Sequence, residues 1–320
     1  MDKLNVAYKL VNENHERKIA GPENSNIKLI EEVLGYKVIL THDTVLIEDT
    51  ANIAEITEIF STIEELLNNS FALSAIDFIN IIASIKNNTI DKLKQIYLNK
   101  ELIVTLHTGK PVYPKTINQA LYLQNLKNMN MVFGIGPAGT GKTYIAVLYA
   151  ANLLKLHLVN KIVLVRPVVE AGEKLGYLPG DIKEKIDPYL IPLYDCLEEV
   201  FSKQVFEKML EKGTIEIAPL AYMRGRTLNN SVIILDEAQN TTRTQMKMFL
   251  TRLGFDSKMI ITGDVTQIDL LSKKNSGLIE ATKILDKIKG IGFVKFEKCD
   301  VMRNPLVYKI IQRYEENDKN

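Results

Sequence analysis

Short apolar runs, each about five residues long, recur along the second half of the chain and predict the strands of a buried sheet. They span residues 131–135, 161–165, 214–218, 231–235, 258–262 and 291–296. Stretches with apolar residues three and four positions apart lie between most of them and predict helices, including 142–156 and 242–253. Apolar strands that alternate with helices indicate a parallel sheet covered on both faces. We therefore predict an α/β fold for this half.

The first hundred residues predict a smaller α/β unit. A helical stretch runs from Ile27 to Leu34, and two β-rich runs follow at 37–40 and 44–47, with His42-Asp43 in the turn between them. Residues 53–100 carry apolar positions at helical spacing and predict two or three amphipathic helices.

A connector separates the two halves. Residues 105–114 contain the Gly and Pro residues that are typical of a linking segment. We predict a small domain over 1–105 and a larger one over 106–320. With 320 residues and 46% hydrophobic side chains, the chain can bury two cores.

Charge differs sharply between the two predicted domains. Residues 1–105 carry 16 acidic and 10 basic side chains, a net of −6, whereas the remainder carries 23 acidic and 30 basic, a net of +7. A polyanion such as RNA therefore suits the second domain better than the first, although solvated surface lysines would give the same excess. The chain lacks an apolar leader and an apolar run of membrane-spanning length, and it has only two cysteines, so we expect a cytoplasmic protein with no membrane partner.

A glycine-rich phosphate loop follows the strand 131–135 directly. It matches G-x-x-x-x-G-K-[ST] and consists of Gly136, Pro137, Ala138, Gly139, Thr140, Gly141, Lys142 and Thr143. Backbone N–H groups of such a loop surround phosphate oxygens, the lysine reaches the β- and γ-phosphates, and the threonine hydroxyl binds Mg²⁺. The alternative is an ordinary glycine turn between a strand and a helix.

Two adjacent carboxylates end the apolar strand 231–235. Ligands of open α/β sheets bind at the carboxyl ends of strands, so Asp236 can hold Mg²⁺ and Glu237 can polarise an attacking water. In an ordinary loop the same pair would merely be solvated. Together with the phosphate loop, the pair predicts hydrolysis of a nucleoside triphosphate with Mg²⁺ as cofactor.

A further polar segment, Thr262-Gly263-Asp264-Val-Thr-Gln267, follows the strand 258–262. A polar residue at this neighbouring strand end can contact the γ-phosphate or the attacking water. Helicase-like ATPases carry a similar G-D-x-x-Q element, which favours Gln267 as that residue. A simple Gly-Asp turn is the alternative.

Four motifs together closely resemble the PhoH family of P-loop ATPases. They are the phosphate loop, the segment 166–181 (R-P-x-x-E-A-G-E-x-L-G-x-L-P-G-D), Asp236-Glu-Ala-Gln-Asn240, and Asp300-Val-Met-Arg-Asn-Pro-Leu-Val307. The resemblance covers about residues 105–315. It implies a P-loop NTPase with a mostly parallel sheet and a helicase superfamily 1-like core, a cytoplasmic location, a link to RNA metabolism and, in some members, homo-oligomeric rings.

The resemblance also implies roles for residues outside the loop. Gln119 matches the glutamine that reads adenine in helicase-like ATPases, although a surface glutamine on a helix is equally compatible with its position. Arg303 matches a late arginine that neutralises charge on the transferred phosphoryl group, with a surface salt bridge as the alternative. Arg166 is a weaker candidate for that chemistry or for RNA. Arg224 and Arg226 are expected to be exposed and to contact RNA phosphate.

The front unit of family members often resembles a K-homology-like domain. Here Gly21 and Gly35 are its only glycines, so the G-x-x-G loop that clamps a nucleotide backbone is missing. With a net charge of −6, this unit is interpreted as a docking or oligomer-regulating module.

The leading hypothesis is an ATPase that couples hydrolysis to RNA remodelling or RNA processing. Lys142 and the loop bind phosphates, Thr143 and Asp236 hold the metal, Glu237 activates water, and Gln267 and Arg303 contact the γ-phosphate. The alternative is an ATP-dependent switch that assembles with an RNA-processing partner such as a ribonuclease, without unwinding. A small-molecule kinase fits the phosphate loop but not the water-activating glutamate, and GTP is not excluded as the nucleotide.

Overall fold

The structure of the protein is a computed structural model. It describes residues 4–167, 182–270 and 275–302 and the single positions 307, 310 and 313. Side chains of the helix 182–201 are described from residue 190 onward. The chain forms two compact units. One contains the residues up to Lys100 together with Lys115–Ile117, and the other contains Glu101–Pro114 and Asn118–Met302. Each unit has its own hydrophobic core.

The described part of the first unit combines a small antiparallel sheet with short helices. Its strands and helices are β1 (Asn5–Lys9), β2 (Val38–Thr41), β3 (Thr44–Ile47), α1 (Glu16–Ala20), α2 (Ser25–Leu34), α3 (Ile53–Asn68), α4 (Ala75–Lys86) and α5 (Ile90–Asn99). The central strand is β3, with β1 and β2 on either side.

Most elements of this unit follow from the sequence pattern. The two predicted β-rich runs form the hairpin β2–β3, and His42 takes the positive φ of 53° that its tight turn requires. The helical spacing over residues 53–100 produces the three helices α3, α4 and α5. The strand β1 was not predicted, because only Ala7 of its five residues is buried and the alternation of apolar and polar residues is weak.

The second unit alternates strands and helices. Its elements are β4 (Val104–Thr105), β5 (Pro111–Val112), α6 (Ile117–Asn128), β6 (Met131–Ile135), α7 (Lys142–Lys155), β7 (Lys161–Arg166), α8 (Ile182–Phe201), α9 (Lys203–Glu211), β8 (Ile215–Pro219), β9 (Ser231–Leu235), α10 (Arg243–Leu250), β10 (Lys258–Gly263), α11 (Gly277–Ile284) and β11 (Ile291–Lys295). The short strands β4 and β5 pair with each other at the start of and within the segment 105–114, which was predicted as a connector.

Six parallel strands form the main sheet, in the order β11-β6-β10-β9-β7-β8. All six predicted strands are confirmed to within one residue at each end. Alternate residues of a strand enter different cores: Val132 belongs to the core that α7 covers, and its neighbour Phe133 belongs to the core on the opposite face. Burying such a side chain stabilises the fold by about 1.5–3 kcal/mol. This two-sided burial accounts for the uninterrupted apolar runs and confirms the predicted α/β class.

The strand order has one consequence for the candidate site. Because β6, β10 and β9 are neighbouring parallel strands, their carboxyl ends lie side by side at one edge of the sheet. The phosphate loop, Asp236 and the segment 262–267 follow these ends directly.

Among the described helices, none is both long enough and apolar enough to cross a membrane.

Candidate active site

The phosphate loop joins β6 to α7 through three constrained glycines. Gly139 and Gly141 have φ of 84° and 81°, a region that glycine enters without steric cost. A Cβ atom at Gly136 would lie 2.5 Å from the Phe296 carbonyl oxygen, so a side chain there would push the loop away from the residue that follows β11. The helix α7 begins at Lys142, and its first N–H groups therefore face the loop.

Polar side chains within the loop fold back onto its own backbone. The Thr140 hydroxyl and the Lys142 ammonium group both donate to the Pro137 carbonyl oxygen, at 3.0 and 3.1 Å. Lys142 is only 9% exposed, so its charge lies inside the loop rather than in bulk solvent. Ala138 lies between these contacts and is half-buried. The loop is thus shaped before any phosphate enters.

Two backbone hydrogen bonds fix the loop to neighbouring segments. The Gly136 N–H group donates to the Gly263 carbonyl oxygen at 3.1 Å, and the Met302 N–H group donates to the Gly139 carbonyl oxygen at 2.9 Å. Arg303 is the next residue in sequence after Met302, but it lies outside the described residues. Its predicted contact with the γ-phosphate stays a prediction.

Thr143 and Asp236, 93 positions apart in sequence, meet at the edge of the sheet. The Thr143 hydroxyl donates to Asp236 Oδ1 at 2.8 Å. The Thr262 hydroxyl, from the end of β10, donates to the same oxygen at 2.8 Å. Asp236 is 5% exposed, and Thr262 is fully buried. Sequence reasoning assigned no role to Thr262; its only signal was a hydroxyl at the end of an otherwise apolar strand.

Glu237 is held from two sides in a strained backbone conformation. Its φ of 54° is uncommon for a residue with a side chain. The Arg166 guanidinium donates to Glu237 Oε1 at 3.0 Å and lies 3.4 Å from Asp236 Oδ2, while the Gln239 amide donates to Glu237 Oε2 at 2.6 Å. Arg166, a weak candidate from sequence, thus compensates the charge of both adjacent carboxylates.

Gln119 lies against the phosphate loop. Its amide nitrogen donates to the Thr140 carbonyl oxygen at 3.0 Å and contacts the Met302 sulfur at 2.9 Å. The side chain is 4% exposed, so the alternative of a surface glutamine is wrong. Recognition of adenine by this amide stays a prediction.

Gln267 lies on an exposed loop that follows β10. Its N–H group donates to the Asp264 carbonyl oxygen at 3.1 Å, and Asp264 Oδ1 accepts from both the N–H and the hydroxyl of Thr266. The Gly-Asp turn considered as an alternative is therefore present. It leaves Gln267 exposed at the same edge of the sheet as the carboxylates, where its contact with a γ-phosphate stays a prediction.

The remaining predicted arginines behave differently from each other. Arg224 is exposed, as expected. Arg226 is not: its guanidinium forms two hydrogen bonds with the Glu216 carboxylate, at 2.5 and 2.8 Å, and Lys161 lies 2.7 Å from the same carboxylate. The hydrogen bonds from Arg226, which have the largest effect, and the contact with Lys161 lower the pKa of the Glu216 carboxyl group to about 2. The expectation that Arg226 is free for RNA phosphate is therefore wrong. Of the segment 166–181, only Arg166 and Pro167 lie within the described residues.

The donor set at the sheet edge suits a hard divalent cation. A threonine hydroxyl and a carboxylate already 2.8 Å apart supply two oxygen ligands, and Mg²⁺ prefers one or two protein oxygens with phosphates and waters completing its shell. Within the described residues, no group of three or more His, Cys, Asp or Glu side chains forms a metal cluster. The oxygen atoms of Thr143 and Asp236 therefore suit Mg²⁺ as ligands.

The sequence matches the PhoH-like protein family over residues 111–315. It is 46% identical to the PhoH-like protein of Bacillus subtilis (strain 168) over 316 residues, which cover 98% of each chain. It is 53% identical to the PhoH-like protein of Mycobacterium leprae (strain TN) over 219 residues, which cover 68% of this chain and 63% of that longer relative.

Similarity to solved structures is much weaker. The UvsW helicase from bacteriophage T4 shares 11% sequence identity, with a TM-score of 0.37 and coverage of 66% of this chain and 67% of the helicase. A likeness this low carries no argument about function. The helicase superfamily 1-like character of the core stays a prediction, whereas the P-loop NTPase class rests on the phosphate loop, the parallel sheet and the family match.

Proposed function

Because the chain belongs to the PhoH-like protein family, we propose that it is a Mg²⁺-dependent ATPase that couples hydrolysis to RNA remodelling or RNA processing. The contact of the Thr143 hydroxyl with Asp236, at 2.8 Å and beside Glu237, is the observation that carries the catalytic part. A glycine turn without catalytic function would not require these side chains to converge. Their convergence beside the phosphate loop supports hydrolysis of a phosphoanhydride bond.

In this proposal each group has a defined task. Lys142 and the N–H groups of the loop bind the β- and γ-phosphates, and Thr143 and Asp236 hold the metal. Bound Mg²⁺ would neutralise charge on the phosphate oxygens. Glu237 takes a proton from the water whose oxygen attacks the γ-phosphorus, and ADP leaves as the terminal P–O bond breaks.

Three further residues complete the proposed site. Gln267 contacts the γ-phosphate or the water from its exposed loop, and Arg303 neutralises charge that develops on the transferred group. Gln119 reads the adenine, which its burial against the Thr140 carbonyl supports by placing it beside the phosphate loop. Positioning and electrostatic stabilisation then supply most of the rate enhancement.

The RNA part of the proposal is supported by charge. Residues 106–320 carry a net charge of +7, and Arg224 remains exposed after Arg226 has been paired with Glu216. Lysine and arginine side chains that neutralise phosphates supply most sequence-independent affinity for nucleic acids. We propose that RNA binds to the second domain.

A second candidate function is a nucleotide-dependent switch. The net charge of −6 on residues 1–105, together with the missing G-x-x-G loop, favours a protein partner over RNA for the first domain. In this alternative, ATP binding promotes assembly with a ribonuclease or a similar RNA-processing partner, and hydrolysis resets the complex without unwinding.

Steady-state ATP hydrolysis by the purified full chain, with and without single-stranded RNA, tests both proposals. Lys142→Ala serves as the blank, because it removes the charge inside the phosphate loop. Stimulation by RNA, absent from Lys142→Ala, supports RNA-coupled hydrolysis. A slow rate that is lost in Lys142→Ala but does not respond to RNA supports the switch. Equal rates of ATP hydrolysis in the parent chain and in Lys142→Ala would overturn the assignment of the phosphate loop as the active site.

A further inference from the structure

Two consecutive amide side chains clasp the loop that carries Gln267. Gln239 Oε1 accepts from the Asp264 N–H group at 3.0 Å. Asn240 Oδ1 accepts from the Asp269 N–H group at 2.9 Å, and Asn240 Nδ2 donates to Asp269 Oδ2 at 3.1 Å. The loop 264–269 is thus held at its first and last residues, with Gln267 between the two contacts.

The same clasp reaches the proposed water-activating carboxylate. While Gln239 Oε1 faces the loop, Gln239 Nε2 donates to Glu237 Oε2 at 2.6 Å. A single side chain therefore spans the distance between Glu237 and the loop. Gln239 is 1% exposed, and its backbone carbonyl oxygen accepts from the Ser276 hydroxyl at 2.8 Å. Both the backbone and the side chain of Gln239 are therefore held by hydrogen bonds.

The donor and acceptor pattern leaves this amide one useful orientation. A carboxylate can only accept and a backbone N–H group can only donate, so Gln239 must turn its nitrogen toward Glu237 and its oxygen toward Asp264. Close packing restricts it further, because a Cβ atom added at Gly263 would lie 2.9 Å from Gln239 Oε1. Gln239 thereby links the Glu237 carboxylate to the start of the loop.

We propose that Gln239 and Asn240 are positioning residues that hold Gln267 in register with Glu237, so that the water-activating group and the γ-phosphate contact move as one body. This inference rests on the proposed ATPase function. Among the described residues, the side chains of the two amides form hydrogen bonds with Glu237, Asp264 and Asp269 and not with the phosphate loop. Loosening the clasp should therefore lower kcat and leave nucleotide affinity unchanged.

The reciprocal pair of Asn240 and Asp269 allows a test by exchange. Asn240→Asp places two carboxylates opposite each other and removes the donor, so we expect kcat to fall about 10- to 100-fold, since a small misplacement of catalytic groups has effects of this size. Adding Asp269→Asn restores both hydrogen bonds, with the side-chain donor now on residue 269. The double variant should recover kcat to within about threefold of the parent.

Matched controls separate positioning from folding. Asn229→Asp introduces the same charge at the opposite edge of the sheet, where the Asn229 side chain also accepts from a backbone N–H group, and it should keep the parental kcat. Asp269→Ala removes an exposed acceptor without burying a charge, so it reports on the clasp even if Asn240→Asp fails to fold; we expect a kcat reduction of about threefold. Nucleotide affinity is measured for every variant by equilibrium binding of a fluorescent ATP analogue.

Each outcome decides the proposal. Loss of kcat in Asn240→Asp with unchanged nucleotide affinity, together with recovery in the double variant, supports it. Parental kcat in Asn240→Asp and Asp269→Ala, parallel loss of nucleotide affinity, or failure of the exchange to restore kcat would each overturn it. A parent chain without Lys142-dependent hydrolysis would instead refute the proposed function, and the positioning role would fall with it.

Discussion

Both units bury carboxylates, but they use them in different ways. In the first unit, the fully buried Asp77 accepts from the Ser74 N–H and hydroxyl groups, the Tyr97 hydroxyl and the Lys115 ammonium group. In the second unit, Asp236 is almost as buried, yet its neighbours are two hydroxyls and an arginine beside a phosphate loop. Burial alone therefore does not distinguish a candidate metal ligand from a structural carboxylate; the chemistry of the surrounding groups does.

Glu64 repeats the pattern of the first unit. Its carboxylate accepts from the N–H groups of Val11 and Asn12 and from the Tyr8 hydroxyl, and it lies 3.5 Å from His15 Nδ1. Burial opposes ionisation of Glu64, but the hydrogen bonds outweigh it and lower the pKa. Burial and the bond to Glu64 raise the pKa of Tyr8 to about 12. Glu64 joins the start of the chain to α3, which is a structural task.

The substitution with the largest expected effect tests the proposed role of Glu237 in the second unit. Glu237→Gln keeps the shape of the side chain and removes its ability to take a proton, so we expect turnover to fall about 1000-fold, or about 4 kcal/mol of transition-state stabilisation. Binding of ATP should persist, because the phosphate loop is untouched. Single-turnover hydrolysis and equilibrium binding measure the two quantities separately, and undiminished turnover would refute the assignment.

The next effect tests whether Asp77 is purely structural. Asp77→Ala leaves the Lys115 ammonium group and the Tyr97 hydroxyl without their buried partner, which should destabilise the first unit by about 3 kcal/mol. Hydrogen exchange should show lost protection over α4 and α5, while nucleotide affinity stays within about twofold. Lys94→Ala, which removes a partly exposed ion pair with Glu65, is the control with little expected effect. If Asp77→Ala lost ATP turnover while hydrogen exchange over α4 and α5 stayed unchanged, Asp77 would not be a purely structural carboxylate.

The smallest expected effect concerns Glu216, a second carboxylate of the second unit. Glu216 lies in β8 of the sheet whose strand β9 Asp236 follows, and its carboxylate pairs with Arg226 and Lys161 although it stays partly exposed. Its folded-state pKa of about 2 lies below the ordinary value of 4.5, so its stabilising effect is complete above pH 4.5 and is lost as the pH falls toward 2. For this partly exposed pair we expect about 2 kcal/mol.

Glu216→Gln provides the measurement. Denaturant midpoints of the parent and the variant should differ clearly at pH 6, and the difference should shrink as the pH is lowered toward 3. A difference that is independent of pH would mean that the carboxylate charge does not carry the stabilisation. ATP turnover at pH 7 should be retained, since Glu216 belongs to the structural class of carboxylates.

Local pattern was enough to predict the six strands of the main sheet and to place the phosphate loop and Asp236 at strand ends. The six apolar runs became the six parallel strands, and the phosphate loop and Asp236 were predicted beside each other because both follow strand ends. The pattern did not predict the environment of a side chain where that environment depends on residues far away in sequence. Arg226 was expected at the surface, yet it pairs with Glu216, and Gln119 could not be distinguished from a surface glutamine until its burial was seen.

The sequence by itself determined which groups are present: a loop that only glycine permits, strands too apolar to face water, and carboxylates at a strand end. The tertiary structure decided which of these groups meet. The position of β10 between β6 and β9 brings Thr262 into contact with Asp236, and it places the Asp264 N–H group within hydrogen-bonding distance of Gln239. The physical reason is that periodicity reports only whether a residue is buried, whereas a hydrogen bond of about 3 Å depends on strand order and register, which long-range packing sets.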